Sequence, residues 1–450
     1  LYTVVGGWHR GKNRYTHLIE SGMMQFQGRQ TVRNMLVVTV LVAGAYFASF
    51  YTPMMIVPGR AEIENRPVNY QFFYRADQDM ITKSEIEELA SDFGAKVIDY
   101  VEMPSASLAI DGEAEVETEG PLGTTYTKEY REAFLEHRFF SVSSWNALTG
   151  DDLVLQPGEC AATLDYYGDI LDISLVTNPV TMQQLSVTTL PEPLPSELFQ
   201  DTFVLTDEDY TSIIQGLTPD WQEVQVLFNA ENDSYAFSKA LLHSIVAHSG
   251  PETAVFDGYD RISRMNAHKA GEEYRGDQVE ELNLPVIDLS QPDTSDFQLN
   301  WLYMPKFQAL DDGNFLSNFA VFLLLFVFVA ILCFGAVGVI LYTRSQTLML
   351  SNAWVYEDLR KLGASNRYLK KTAQGQIKRV FFSPILIGTV LMLGFYTLIL
   401  LANGGDMVLD QNERMSLSVC LLVVAAMSAV FYGFYRFTLN KSCHTLHLSE

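Results

Sequence analysis

The sequence predicts a membrane protein with four transmembrane α-helices and a large extracellular α/β domain inserted between the first and the second. Four stretches contain no Asp, Glu, Lys, Arg or His, and each is longer than the about 20 residues that a helix needs to cross a bilayer. They are residues 34–59, 315–343, 380–405 and 415–435. Between the first two stretches, segments with the pattern of strands alternate with segments that have the pattern of helices.

Basic residues beside the spans predict the orientation of the chain in the membrane. They precede the first span, fill the loop between the second and third, and follow the fourth, so these segments are expected to face the cytoplasm. They are Arg29, Arg33, Arg344, Arg360, Lys361, Arg367, Lys370, Lys371, Lys378, Arg379, Arg436 and Lys441. The predicted order is a cytoplasmic lead-in (1–33), span 34–57, an extracellular domain (58–312), span 315–343, a cytoplasmic loop (344–379), span 380–402, an extracellular turn (403–414), span 415–435 and a cytoplasmic tail (436–450).

The net charge of −24 is distributed unevenly over the 450 residues. Residues 58–312 hold 47 of the 54 acidic and 14 of the 30 basic residues, a net charge of −33, whereas the rest of the chain carries +9. A domain this acidic would attract cationic ligands. Acidic surfaces also keep large domains soluble, so both interpretations remain open.

The extracellular domain begins with a βαβ-like unit. Residues 69–74 are rich in strand-forming side chains, and 96–101 alternate as a second strand. Between them, Thr82 and Glu85 have the spacing of a capping box, in which each side chain satisfies a free amide of the other residue. The helix that they start is expected to run to Phe93 and to stop at Gly94.

Four glutamates at alternate positions, Glu113, Glu115, Glu117 and Glu119, predict an exposed edge strand or one arm of a hairpin. Like charges along one face discourage edge pairing, so protection from aggregation and ligand binding both fit. Residues 139–148 and 202–210 share an order of strand, cap and aromatic residue, which raises an internal duplication as a hypothesis.

Further along the domain, residues 221–228 alternate as a strand, and Asp233 or Ser234 is expected to cap a helix that ends near Ala247. Residues 285–301 have the pattern of a looser strand and linker. Among the spans, Pro53 and Pro58 are expected to mark the exit of the first, at about Met54. The second span, 315–343, is longer than a bilayer requires and is expected to tilt or to rise above the membrane as a stalk.

The cytoplasmic loop between the second and third spans contains two predicted helices joined by a tight corner. Gly363 suits the left-handed position that ends a helix, and Ser365 can cap the next one. Val355, Leu359 and Leu362 recur at helical spacing, which predicts an apolar stripe that faces the membrane or a partner's groove. An ordinary basic loop that lies on the membrane surface is the alternative.

The order of apolar span, short helix, L-R-K-L-G-A-S (residues 359–365), helix and apolar span resembles the FtsX-like permease family of ABC transporters. Residues 140–159 and G-M-M-Q-F-Q-G-R-Q before the first span are similar to the C-terminal part of its bacitracin-resistance type. The resemblance implies a multi-pass permease of the bacterial cell membrane whose loop docks on a separate ATPase. The residues that it implies for this coupling are Glu357, Leu359, Arg360, Leu362, Gly363 and Ser365.

The resemblance also implies the partners. ATP would be bound by a pair of ATPase subunits, and the permease itself would hold no cofactor. Its movements would dislodge or report a cationic peptide antibiotic or its lipid complex, with a sensor histidine kinase as a further possible partner. Permeases of this type carry additional N-terminal spans, and the chain opens on Leu1, so we expect it to be part of a longer protein.

Several other classes of function lack their motifs. The sequence has no G-x-x-x-x-G-K-[S/T] phosphate loop and no motif for a nucleophilic triad, so we expect no enzyme, and we expect no nucleic-acid partner. The predicted spans hold no ionisable group of the kind that pores and carriers use. His243 and His248 are five residues apart, which does not place them on one helical face, and we expect no metal site. Cys160 is the single cysteine of the extracellular domain, which excludes a disulfide framework there.

Two alternative functions remain open. One is a division-type signalling permease that regulates cell-wall hydrolases. The predicted extracellular domain, residues 58–312, is large for a protein of this type. The other is a membrane receptor that works without an ATPase, for which the corner at 354–365 would be dispensable.

Overall fold

The computed structural model of the chain describes residues 28–120, 123–165, 168–196, 198–403, 409 and 411–445. The chain forms two compact units, a helical unit (1–62 and 315–450) and a sheet unit (63–314). The first 27 residues of the predicted lead-in, half of the predicted turn at 403–414 and the tail beyond Thr445 lie outside the described residues.

The described residues form eleven α-helices and ten strands. The helices are α1 (Gly28–Glu64), α2 (Lys83–Asp92), α3 (Val142–Thr149), α4 (Asp207–Ile213), α5 (Tyr235–His248), α6 (Arg261–Ala270), α7 (Ser295–Asn300), α8 (Gln308–Ser351), α9 (Ala353–Lys361), α10 (Asn366–Asn403) and α11 (Gln411–Thr445). The strands are β1 (Tyr70–Arg75), β2 (Lys96–Gly120), β3 (Gly123–Ser141), β4 (Glu159–Ala162), β5 (Leu175–Thr177), β6 (Gln184–Ser186), β7 (Thr188–Thr189), β8 (Thr202–Leu205), β9 (Gln222–Glu231) and β10 (Lys306–Phe307).

Four helices, α1, α8, α10 and α11, are long and apolar enough to cross a membrane. This agrees with the four predicted spans. They contribute to a common core, to which Val42, Leu341, Ile377 and Phe431 belong. At Gly388 of α10 the backbone comes so close to α1 that a Cβ would lie 2.8 Å from a methyl group of Val42, and small residues allow this kind of close helix packing.

Helix α1 continues past both prolines that were expected to mark its exit. Pro53 and Pro58 lie inside the helix, which ends at Glu64. A proline removes only its own N–H from the hydrogen-bond ladder, and apolar surroundings favour keeping the remaining bonds. The Ser416 hydroxyl donates to the carbonyl oxygen of Pro53 (3.3 Å). At the end of α1, the side-chain amide of Gln308 donates to the carbonyl oxygens of Ile63 and Glu64 (3.1 and 3.0 Å).

Helix α8 is longer than the span predicted at 315–343. Its 44 residues correspond to about 66 Å at 1.5 Å per residue. Val337, Leu341 and Leu348 are buried in the core of the helical unit, whereas Leu324, like most apolar side chains between 316 and 329, is exposed. The prediction of a helix longer than a bilayer requires is therefore confirmed as to length.

The sheet unit is a mixed sheet in the order β10-β1-β9-β2-β3-β8-β4-β7, with β5 joining β2 to β6. Strands β1 and β2 both run antiparallel to β9, so they are parallel to each other with β9 between them. Helix α2 connects them, which makes the predicted βαβ-like unit a split one. The capping box of Thr82 and Glu85 is present, and Gly94 has a φ of 74°.

The two passages with the same strand, cap and aromatic order lie side by side. Strands β3 and β8 are parallel neighbours, with Phe139 opposite Phe203. Ser141 caps α3 at the end of β3, and Thr206 caps α4 at the end of β8. Ser234, one of the two predicted caps, starts α5.

The expectation of a looser strand at 285–301 is wrong. No strand is assigned in this range, and residues 295–300 form α7, which Thr294 caps by accepting from the amide of Phe297 (3.3 Å). Pro285 and Pro292 have no N–H to donate to a sheet. Phe297 and Trp301 are instead buried against the core beside β1 and α5.

Candidate docking site

The predicted corner between the second and third spans is present in the helical unit. We call residues 352–369 the docking corner. The short helix α9 starts after Asn352, directly beyond the end of α8, and α10 begins at Asn366. A short, sharply bounded helix between two long ones is therefore the local structure that positions each predicted site residue.

The end of α9 is fixed by two backbone hydrogen bonds. The Gly363 amide donates to the Arg360 carbonyl, and the Ala364 amide donates to the Leu359 carbonyl, both at 3.0 Å. This is the Schellman pattern, and it requires the left-handed conformation that Gly363 has at φ 91°. The next helix starts at Ser365, whose hydroxyl accepts from the amide of Tyr368 (3.3 Å).

The face of α9 that packs inward differs from the predicted stripe. Tyr356 is buried, and its hydroxyl donates to the side-chain oxygen of the buried Gln376 (3.3 Å). Ala353 and Leu359 pack against the same core from the neighbouring positions on the helix. Leu359 was predicted to face the membrane or a partner together with Leu362, but only Leu362, which is 83% exposed, has such a position. Because its hydroxyl is hydrogen-bonded to Gln376, Tyr356 anchors α9 to the core together with Ala353 and Leu359.

The outward face of α9 carries two large apolar side chains. Trp354 is 67% exposed, and together with Leu362 it lies on one side of the helix at a separation of about 12 Å. Asp358 lies between them on the same side. Such a pattern of anchors two turns apart is typical of a helix that binds in a groove of another protein.

The charges around the two anchors are exposed. The Lys361 ammonium group lies 3.4 Å from Glu357 and 3.8 Å from Asp358. Exposed pairs of this kind contribute little to stability. Helices that lie flat on a membrane surface are usually rich in Lys and Arg on their polar face, whereas α9 carries as many acidic as basic residues, which favours a protein groove over a lipid surface.

The rest of the described chain contains no candidate metal-binding site. The described residues contain no group of three or more His, Cys, Asp and Glu side chains that could hold an ion. His243 contacts Asp293 (2.9 Å), and His248 contacts the backbone oxygen of Ser244 (2.7 Å). The cysteines Cys160, Cys333, Cys420 and Cys443 are free thiols.

The structure thus brings the six predicted coupling residues into one corner but gives them different positions. Gly363 and Ser365 shape the backbone, Leu359 faces inward, and Glu357, Arg360 and Leu362 are exposed. Trp354 was missed by the sequence analysis, although a tryptophan in a short basic loop was a usable signal. No protein-family model matches the chain, and a search of curated proteins finds no match.

Proposed function

We propose that this chain is the permease subunit of an ABC transporter, and that α9 docks into a groove of a separate cytoplasmic ATPase. The observation that carries the proposal is the pair of exposed anchors, Trp354 and Leu362, on a short helix between two helices long enough to cross a membrane. Tryptophan is one of the residue types that contribute most to binding at protein interfaces.

The corner is built to transmit force. The Schellman hydrogen bonds at Gly363 and the cap at Ser365 join α9 to α10 without a flexible linker. Tyr356 and Leu359 hold α9 against the core, so a displacement of α9 by the ATPase would move the ends of α8 and α10 with it. In this mechanism Leu359 positions the helix, Leu362 contacts the partner, and Glu357 and Arg360 form the polar rim of the interface.

In the proposed orientation the docking corner is cytoplasmic and the sheet unit is extracellular, as the basic residues around the spans indicate. The acidic charge of the sheet unit favours cationic ligands, which fits the removal or sensing of antimicrobial peptides. ATP would bind to the partner, since the permease sequence has no phosphate loop.

The test is co-purification of the protein with its partner from membranes solubilised in mild detergent. We expect a Walker-type ATPase to co-purify with the wild type, and to bind roughly 100-fold more weakly to a Trp354→Ala, Leu362→Ala variant. The matched control is Leu299→Ala, which removes a similarly exposed side chain from the sheet unit.

Three outcomes would contradict the proposal in different ways. If no ATPase co-purifies, the receptor without an ATPase becomes the better interpretation. If the double variant binds the ATPase as well as wild type does, the docking corner is not the interface. If a fluorophore on a Leu362→Cys variant is strongly quenched by brominated lipids, the corner lies on the membrane surface.

A further inference from the structure

Strands β2 and β3 extend far beyond the rest of the sheet. The pairing of β2 with β9 ends at Ala106, its pairing with β5 ends at Ile110, and β3 pairs with β8 only from Arg138 onward. The two strands nevertheless stay paired with each other for nine further residue pairs, from Gly112–Arg131 to Gly120–Gly123. We call residues 112–120 and 123–131 the arm. Its length is about 30 Å at 3.4 Å per residue.

The root of the arm is held rigidly by Asp111. The register of β2 and β3 shifts at this residue, and its carboxylate accepts from the amides of Ser174 (3.0 Å) and Leu175 (3.1 Å) and from the Tyr130 hydroxyl (2.9 Å). The Ser174 hydroxyl is a fourth donor. Burial raises the pKa of Asp111, but these hydrogen bonds outweigh it, so that the pKa lies below its usual value. Four hydrogen bonds therefore anchor the root of the arm.

Gly112 contributes to the same junction. A Cβ at this position would lie 2.6 Å from a ring carbon of Phe134, so the close approach of the two strands needs a residue without a side chain. A bulge followed by a tightly packed glycine is a device that redirects a pair of strands. The arm is thus a built feature of the sheet unit.

Beyond this root, the described residues of the arm lack the support that two-stranded ribbons usually need. No third strand in the described part of the chain pairs with residues 112–120. Tyr126 and Tyr130 are 67% and 55% exposed. A ribbon of two strands is marginally stable in water, and a third strand or a packed face normally stabilises it. The open β2 edge also presents backbone N–H and C=O groups that can pair with another strand.

One face of the arm combines acidic and aromatic side chains. Residues directly opposite each other share a face, which places Glu113 with Tyr130 and Glu115 with Lys128. The sequence from 113 to 132 holds six glutamates but only two basic residues, Lys128 and Arg131. A second copy of this edge would meet like charges, whereas a strand with Lys or Arg at alternate positions would meet carboxylates.

We propose that the arm binds a basic peptide segment in an extended conformation, which pairs as a third strand with the β2 edge. Backbone hydrogen bonds would provide affinity, and the exposed Glu113 and Glu115 would select basic side chains two positions apart in the ligand. Tyr130, whose hydroxyl is fixed by Asp111, would offer its ring to one of these cations. The inference concerns the sheet unit and does not depend on an ATPase partner.

The test uses the whole chain in lipid nanodiscs and a fluorescent eight-residue peptide of alternating Lys and Val as the probe. We expect the peptide to bind and to slow amide hydrogen exchange in residues 112–120. Two further peptides carry N-methyl groups on the four valine amides or on the four lysine amides. Strand addition needs one of these two sets of amides, so one of the two peptides should bind roughly tenfold more weakly. If both bind like the parent peptide, the proposal fails.

A charge-reversal pair separates a specific site from general attraction. A Glu113→Lys, Glu115→Lys variant should bind the probe peptide at least roughly tenfold more weakly. A Glu272→Lys, Glu273→Lys variant makes the same change in net charge at another exposed site and should leave binding unchanged. Equal losses in the two variants would overturn the proposal.

Two further measurements complete the test. Unaltered exchange in residues 133–141 of the first variant would show that the root is still folded. Exchange protection of the arm that rises with protein concentration when no peptide is present would identify a second copy as the occupant, and would also overturn the proposal. Neither variant should affect co-purification of an ATPase, so the two proposals fail independently.

Discussion

Two helix ends in different units of this protein have the same backbone structure and a different surface. Helix α2 of the sheet unit ends in D-F-G-A, and α9 of the helical unit ends in K-L-G-A. At the first end, the Gly94 amide donates to Ser91 (3.0 Å) and the Ala95 amide to Ala90 (2.9 Å). At the second end, Gly363 and Ala364 make the same two bonds to Arg360 and Leu359. Both ends are Schellman motifs.

The difference lies in what covers the apolar residue before each glycine. The ring of Phe93 is 42% exposed and contacts Phe237 of α5, with 6.4 Å between ring centroids. Leu362 has twice that exposure. The same turn thus packs its apolar side chain beside a neighbouring helix in one unit and leaves it exposed in the other, where we propose that it contacts a partner. Local backbone chemistry alone does not distinguish a structural corner from a docking one.

The two helices should differ most in the stability that they lose when a buried residue of α2 and an exposed residue of α9 are each replaced by alanine. Ile86 of α2 is fully buried, so Ile86→Ala should destabilise α2 by about 3 kcal/mol. Leu362→Ala should change the stability of α9 by less than about 0.5 kcal/mol. Hydrogen exchange of the whole chain in detergent, measured for peptides that cover residues 83–95 and 353–365, reports both. A large loss of protection at α9 would show that Leu362 is covered after all.

Replacing the left-handed glycine should destabilise the two helix ends equally, because their backbones are alike. Gly94→Ala and Gly363→Ala place a Cβ in open space but in a left-handed conformation, so each should cost about 1–2 kcal/mol of local stability. The measurement is again hydrogen exchange at each helix end. Gly335→Ala is the control, because this glycine also has open space around its Cβ but lies inside a helix, where alanine should be neutral or stabilising. Unequal losses at Gly94 and Gly363 would mean that tertiary contacts contribute to one of the turns.

Features that depend on neighbouring residues could be predicted from the sequence. The capping box at Thr82, the helix end at Gly94, the left-handed Gly363, the cap at Ser365 and the four long helices all appear as expected. Each follows from residue type, spacing or a long run of apolar side chains, and none needs knowledge of the rest of the fold.

Features that depend on distant contacts could not be predicted. The inward face of α9 is set by the hydrogen bond between Tyr356 and Gln376, which are twenty residues apart. Strands β5, β6 and β7 are two or three residues long and carry no pattern of their own. The alternating glutamates predicted an edge strand or a hairpin arm, but the anchoring of its root by Ser174 and Leu175 joins Asp111 to residues more than sixty positions away.

The start of α2 at Thr82 and the start of α10 at Ser365 should differ in their response to pH. This is the smallest of the expected effects. Glu85 accepts a hydrogen bond from the Thr82 amide (2.8 Å) and another from the Thr82 hydroxyl, and these bonds hold the pKa of Glu85 below its usual value. The equivalent position after Ser365 is Tyr368, which has no carboxylate. Of these two helix starts, that of α2 has a titratable cap and that of α10 does not.

The sign of the effect follows from the direction of the shift. Since the pKa of Glu85 is lower in the folded state, its stabilising effect is complete above the usual carboxyl pKa of about 4.3 and is lost as the pH falls through the folded value. Exchange protection of residues 83–86, corrected for intrinsic rates, should therefore fall between about pH 5 and pH 3, while the start of α10 should stay unchanged. In Glu85→Gln the amide oxygen can still accept from Thr82 but does not titrate, so the fall should disappear. If the variant shows the same fall, another carboxylate controls the pH response of this helix start. The cap of α2 would then itself be as insensitive to pH as the cap of α10.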